Sequence, residues 1–230
     1  ASLIGDRSLV SRLAMVLSQM EGKYPLEERK KKIHTISSFV SVAEQFADVR
    51  YAEWGLDLLK KSEQQFPEER LCTLYLMLAI SFVYNQDWEQ AQDCLKRIGK
   101  KNFPPSSGIT WEPDFLRFFI LVEKGTPDLW DSMYRSVLRV AKKTERQYPA
   151  TVLKIYRKIK LSTDQKSIEN TALKSLEGIK ALLDSPGEKQ AGFYFNFLPW
   201  LESTATGKSS VEIIQAREKE KFEAIISRMA

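Results

Sequence analysis

The side chains able to do chemistry are few and scattered. The chain has one histidine, His34, beside the basic run Arg29-Lys30-Lys31-Lys32. A general base needs a group that orients it and surroundings that tune its pKa, and no spacing around His34 supplies either. The two cysteines, Cys72 and Cys94, lack the close spacing and the histidine companions of a metal site. They read as buried, reduced thiols of an intracellular protein, cytoplasmic or nuclear. No glycine-rich phosphate loop and no Gly-x-Ser-x-Gly elbow occurs. Carboxylates are plentiful, but helical surfaces always carry them, and none forms an isolated acid–base pair. The expectation is a protein that is not an enzyme, with no catalytic residue, no metal and no cofactor.

Positive charge, in contrast, is concentrated. Lys142 to Lys160 holds seven basic residues against one acid, Glu145, a net of +6 where the whole chain carries +5. Lys154, Arg157 and Lys158 share one face of a helix and form the candidate basic patch. Lys96, Arg97, Lys100 and Lys101 make a second cluster. Such stripes can neutralise nucleic-acid phosphates or an acidic partner, and they are also what a solvated helix face looks like. Nothing resembles a base-reading module, and no aromatics are interleaved as stacking platforms.

The elements that must carry these residues are helices. The chain has 230 residues, 43% of them apolar, with only 10 Gly and 9 Pro. That is enough for a continuous core and too few breakers for a turn-rich β fold. No apolar run approaches the length of a membrane span. The start, Ala1-Ser2-Leu3, lacks Met and a signal peptide and reads as a cut within a longer protein.

One spacing occurs twice. Phe39, Val42-Ala43 and Phe46 are followed by Gly55, Leu59 and Pro67. Tyr75, Leu78-Ala79 and Phe82 are followed by Ala91, Leu95 and Phe103-Pro104, 36 positions further on. The large residues fall on one helical face. Ala43, Gly55, Ala79 and Ala91 leave room for two antiparallel helices to cross. Asp87 is placed to cap the helix that starts at Trp88. This pattern resembles the tetratricopeptide repeat, with Phe39 or Tyr75 in place of the usual Trp and Ala in place of the usual Gly.

The resemblance implies an all-α fold, an α-α superhelix of antiparallel helix pairs (a TPR-like solenoid) with a C-terminal capping helix. Residues 1–202 form the repeat domain, with its clearest repeats at 36–69 and 72–105. A helix from Asp6 to about Met20 precedes them. Pro113 to Glu123 and Asp128 to Thr144 make a degenerate third pair; Thr151 to Lys160 and Ser167 to Leu183 make a fourth. The aromatic stretch Phe193 to Trp200 is either a cap on the last helices or a docking segment. Residues 203–208 read as a linker. Ser209 and Glu212 form a capping box that opens an amphipathic helix over 209–230, with Val211, Ile214, Phe222, Ile225 and Met229 roughly along one face.

The resemblance also implies a concave surface lined by the first helix of each pair. Chaperone-adaptor members carry Lys, Asn and Arg there to clamp a terminal carboxylate; here those positions are Val40, Glu44 and Met77, so the clamp is missing. The second repeat's groove is apolar instead. Leu76, Ile80, Val83 and Tyr84, continued by Phe115 and Phe119, are the candidate partner-binding residues. Such a stripe must be covered, either by a partner's peptide or amphipathic helix or by the chain's own C-terminal helix. The expected function is a scaffold or adaptor that binds a protein partner within a larger assembly. The alternative is a helical-repeat protein that binds nucleic acid through the basic face around 142–160.

Overall fold

The computed structural model describes residues 25–99, 111–125, 129–144, 146–188 and 195–229. The expected helix from Asp6 to Met20, the Pro104–Gly108 loop and the first two aromatics of the C-terminal stretch lie outside them. Every described element is helical, and no strand occurs among the described residues. The order is α1 (Pro25–Phe46), α2 (Val49–Ser62), a 3-10 turn (Glu63–Gln65), α3 (Glu68–Tyr84), α4 (Trp88–Ile98), α5 (Glu112–Glu123), α6 (Trp130–Lys143), α7 (Gln147–Lys160), α8 (Gln165–Asp184), α9 (Leu198–Thr206) and α10 (Ser210–Met229). From α1 to α8 each helix packs on the next in sequence, and α1 also meets α3 and α3 meets α5. The chain then folds back. Helix α9 lies on α8, and α10 crosses from α9 to α1.

Small residues set the helix crossings. Ala43, Ala79 and Ala91 are fully buried. A Cβ added at Gly55 would stand 3.2 Å from Val40 Cγ2 and 3.5 Å from Leu78 Cδ2, so the glycine lets α2 approach α1 and α3 together. Turn chemistry fixes the reversals. Asp48 caps α2 by accepting from Arg50 N at 3.1 Å, and Asp87 caps α4 by accepting from Gln90 N at 3.1 Å. Between α1 and α2, Ala47 takes the left-handed conformation (φ 47°). The Asn85 side chain donates to its carbonyl at 2.8 Å and to that of Ser81 at 2.8 Å, tying the end of α3 to the preceding turn.

Two boundaries differ from the sequence expectation. Helix α7 begins at Gln147 rather than at Thr151, with Pro149 in its first turn, where a missing N–H costs no hydrogen bond. Its free N-terminal amides are met from far along the chain: Glu188 accepts from Gln147 N at 2.6 Å and from Tyr148 N at 3.0 Å. The second difference is the linker. Residues 203–206 belong to α9, and only Gly207, in the left-handed conformation, with Lys208 and Ser209 separates it from α10. The hydroxyls that made this run look flexible bond back along the helix: Thr204 Oγ1 donates to the Trp200 carbonyl at 2.9 Å and Thr206 Oγ1 to that of Glu202 at 2.7 Å. The capping box forms as expected, with Ser209 N donating to Glu212 Oε2 at 2.8 Å and Glu212 N to Ser209 Oγ at 3.2 Å.

Candidate functional site

The six apolar groove candidates lie together but not on an open surface. Leu76, Ile80, Val83, Tyr84, Phe115 and Phe119 are all buried in the core. The chain's own aromatic segment covers the far end of their line. Phe195 stacks on Tyr84 at 6.0 Å between centroids and packs 5.3 Å from Phe115. Trp200 meets Phe119 edge-on at 5.8 Å. Backbone hydrogen bonds fix this cover in register. The Tyr84 hydroxyl donates to the Asn196 carbonyl at 2.7 Å, and the Tyr148 hydroxyl donates to the Phe195 carbonyl and accepts from Phe197 N, both at 3.0 Å. Phe195 and Phe197 have no exposed surface. At Tyr84, Phe115 and Phe119 the cover is therefore internal, and residues 195–200 supply it. Sequence could not show this because the segment's target lies more than 100 positions away (Tyr84 to Asn196).

Helix α10 lies beside this core and leaves a space under it. A cavity of about 380 Å³ is bounded by Ser41, Glu44 and Gln45 of α1, Tyr84 of α3, Asn196 and Pro199, and Ile214, Arg217, Glu218 and Lys221 of α10. Among the described residues both apolar and polar groups hold the helix. Ile213 and Ile214 are buried, Gln215 Nε2 donates to the Phe46 carbonyl at 3.3 Å, and Gln45 Nε2 donates to Glu218 Oε2 at 2.8 Å. Arg217 is paired with Glu202 of α9. Burial, and secondarily the charge of Glu218, push the Glu44 carboxyl up to about 7. Tyr84 is pushed well above its ordinary value, chiefly by burial. Glu44 stood in the sequence only as a position where a clamp residue was missing. Its nearness to Glu218 across the cavity has no sequence signal, because the two residues come from opposite ends of the chain.

The basic patch divides. Lys154 and Lys158 are exposed and line a cleft between α7 and α8. Arg157 turns the other way, to Asp131 of α6 at 3.0 Å, with its guanidinium 4.6 Å from the centre of the Tyr134 ring. Residues at i and i+3 diverge by about 60° around a helix, which suffices to place them against different neighbours. Lys160 is also neutralised, by Glu123 at 2.8 Å. The cleft gains instead Lys166 and Lys174 of α8. They stand about two helical turns apart on α8.

His34 is exposed on α1, and both cysteines are free, buried thiols. Burial pushes Cys94 up to about 12, away from a reactive thiolate. Among the described residues no cluster of His, Cys, Asp and Glu could hold a metal ion, and no helix is long and apolar enough to cross a membrane. No protein-family model matches the chain, and comparison with curated proteins and with solved structures finds no match to it.

Proposed function

We propose that the protein is a non-enzymatic helical scaffold that binds a partner protein through an amphipathic helix, at the face of α1, α3 and α9 where its own α10 now lies. The observation that carries this reading is the seating of α10. It is a helix laid against α1 and α9, with Ile213 and Ile214 buried and a cavity of about 380 Å³ between it and α1, Tyr84 and Pro199. Helix-in-groove recognition uses the same parts: a few apolar anchors at helical spacing and polar contacts at the rim. The packing of α1 on α3 and of α3 on α5 supports reading these helices as a TPR-like superhelix, whose concave side would carry this face.

The test uses a peptide of residues 209–229 and the double variant Ile213→Glu/Ile214→Glu, which frees the face. The peptide is expected to bind the variant and not the wild type. Proteins captured by the variant from cell extract should be displaced by the peptide. A variant that stays folded yet binds neither the peptide nor any protein the peptide displaces would overturn the scaffold reading.

A further inference from the structure

Charge on this molecule is segregated far beyond what its net value shows. Residues 135–174 carry eleven basic and three acidic side chains, a net of +8, while the whole chain carries +5. The remaining residues are therefore net acidic, at −3. The basic stretch spans the three successive helices α6, α7 and α8. Its focus is the α7–α8 cleft, about 540 Å³, lined by Lys154, Ile155, Lys158, Asp164, Lys166, Ser167, Asn170, Thr171, Lys174 and Ser175.

The four lysines are all exposed, and among the described residues none has an ion-pair or hydrogen-bond partner. Neighbouring cations do: Arg157 with Asp131, Lys160 with Glu123 and Lys180 with Glu177. The cleft's one acid, Asp164, is engaged as the cap of α8, accepting from Ser167 N at 2.8 Å. On α7 the lysines stand one turn apart, about 6 Å, and on α8 about 12 Å apart. Four ammonium groups against the single Asp164 carboxylate leave this short surface at +3, and an anionic ligand with closely repeated charges relieves the remaining repulsion.

We propose that this cleft, which is separate from the α10 face, binds the phosphodiester backbone of double-stranded nucleic acid without regard to sequence. The lining decides between polyanions. A peptide-binding site draws its energy from buried aromatic or aliphatic anchors, and the cleft offers only Ile155. Lysine, serine, threonine and asparagine are the side chains that contact phosphate and sugar. The absence of any aromatic from the lining removes the stacking platform that single strands use, which selects the duplex. With no arginine in the cleft to read a guanine edge, contacts position the duplex and do not specify a base.

The experiment measures fluorescence anisotropy of labelled duplexes of mixed sequence, about 20 base pairs or two helical turns long, as DNA and as RNA. The full chain is compared with the full-chain variant Lys154→Gln/Lys158→Gln/Lys166→Gln/Lys174→Gln between about 50 and 200 mM salt. Four neutralised phosphates give a wild-type slope of log affinity against log salt of about −3.6, and the variant should flatten it to near zero. At the lower salt the variant should bind at least about 10-fold more weakly. The paired change Lys219→Gln/Lys221→Gln on α10 should leave both values unchanged. If the quadruple variant fails to fold, the two double variants, one per helix, should each remove about half the slope. Binding of both duplexes, or of one alone, supports the proposal and names the form recognised. No duplex binding at low salt, an unchanged slope in the folded variants, equal loss in the α10 variant, tighter binding to single strands, or equal binding to poly-glutamate would overturn it.

Discussion

Glu44 is a carboxyl group whose surroundings hold its proton. It faces Glu218 across the α1–α10 contact, with Gln45, Tyr84, Arg217 and Lys221 around the same cavity. Its folded pKa, about 7, lies above the ordinary carboxylate value of 4.5. The sign follows from linkage: the folded state holds the proton more tightly, so this group's contribution is fully present below about pH 4.5 and is lost as pH rises through 7. Glu44→Gln keeps the shape and removes the titration. The variant's Tm should match the wild type at pH 4 and exceed it at pH 8, by about 3–5 °C for each unit of pKa difference. Thermal melts at the two pH values check this. An equal gap at both would mean that α10 packs without reference to the Glu44 charge.

Two element-scale contacts have measurable worth. Glu188 accepts two backbone amides at the start of α7, and Glu188→Ala leaves both without their partner, costing about 1–3 kcal/mol. Denaturant unfolding should show the loss with the midpoint lowered and the slope kept. Ala91, fully buried on α4, has no space for a large ring. Ala91→Trp should cost about 1–3 kcal/mol or more, read the same way. An unchanged midpoint would place α4 elsewhere. Much of this scale is legible in sequence because it is local. The 3.6-residue period, the Asp87 cap and the Ser209–Glu212 box are each complete within a few residues. What sequence misplaces is set by distant partners. Leu76, Ile80, Val83, Tyr84, Phe115 and Phe119 carry the same pattern whether they line a groove or a core, and the segment that covers Tyr84, Phe115 and Phe119 arrives from residue 195 onward. Arg157 and Lys158 are neighbours in sequence, but one meets Asp131 and the other meets no ion partner among the described residues.

At the scale of the molecule, the return of the chain from α8 to α1 has two parts of unequal strength. Residues 195–206 carry fully buried aromatics, with backbone groups bonded to Tyr84 and Tyr148, and belong to the core. Among the described residues, helix α10 rests on Ile213, Ile214, the half-buried Val211 and polar contacts of Gln215, Arg217 and Glu218, beside a cavity. Local opening draws on the elements with least buried apolar contact, so α10 should leave its face while the rest of the fold stays closed. The proposed scaffold function rests on this difference, because a partner helix can take the face only if α10 gives it up at modest cost. Native-state hydrogen exchange on the full chain measures it directly. Amides of 195–206 should share the slow, global protection of α3 and α5, while those of α10 exchange faster, and Ile213→Glu/Ile214→Glu should remove protection from α10 alone. If α10 and 195–206 exchange together at the global rate, or if the double substitution exposes both, α10 is part of the core and no exchangeable face exists.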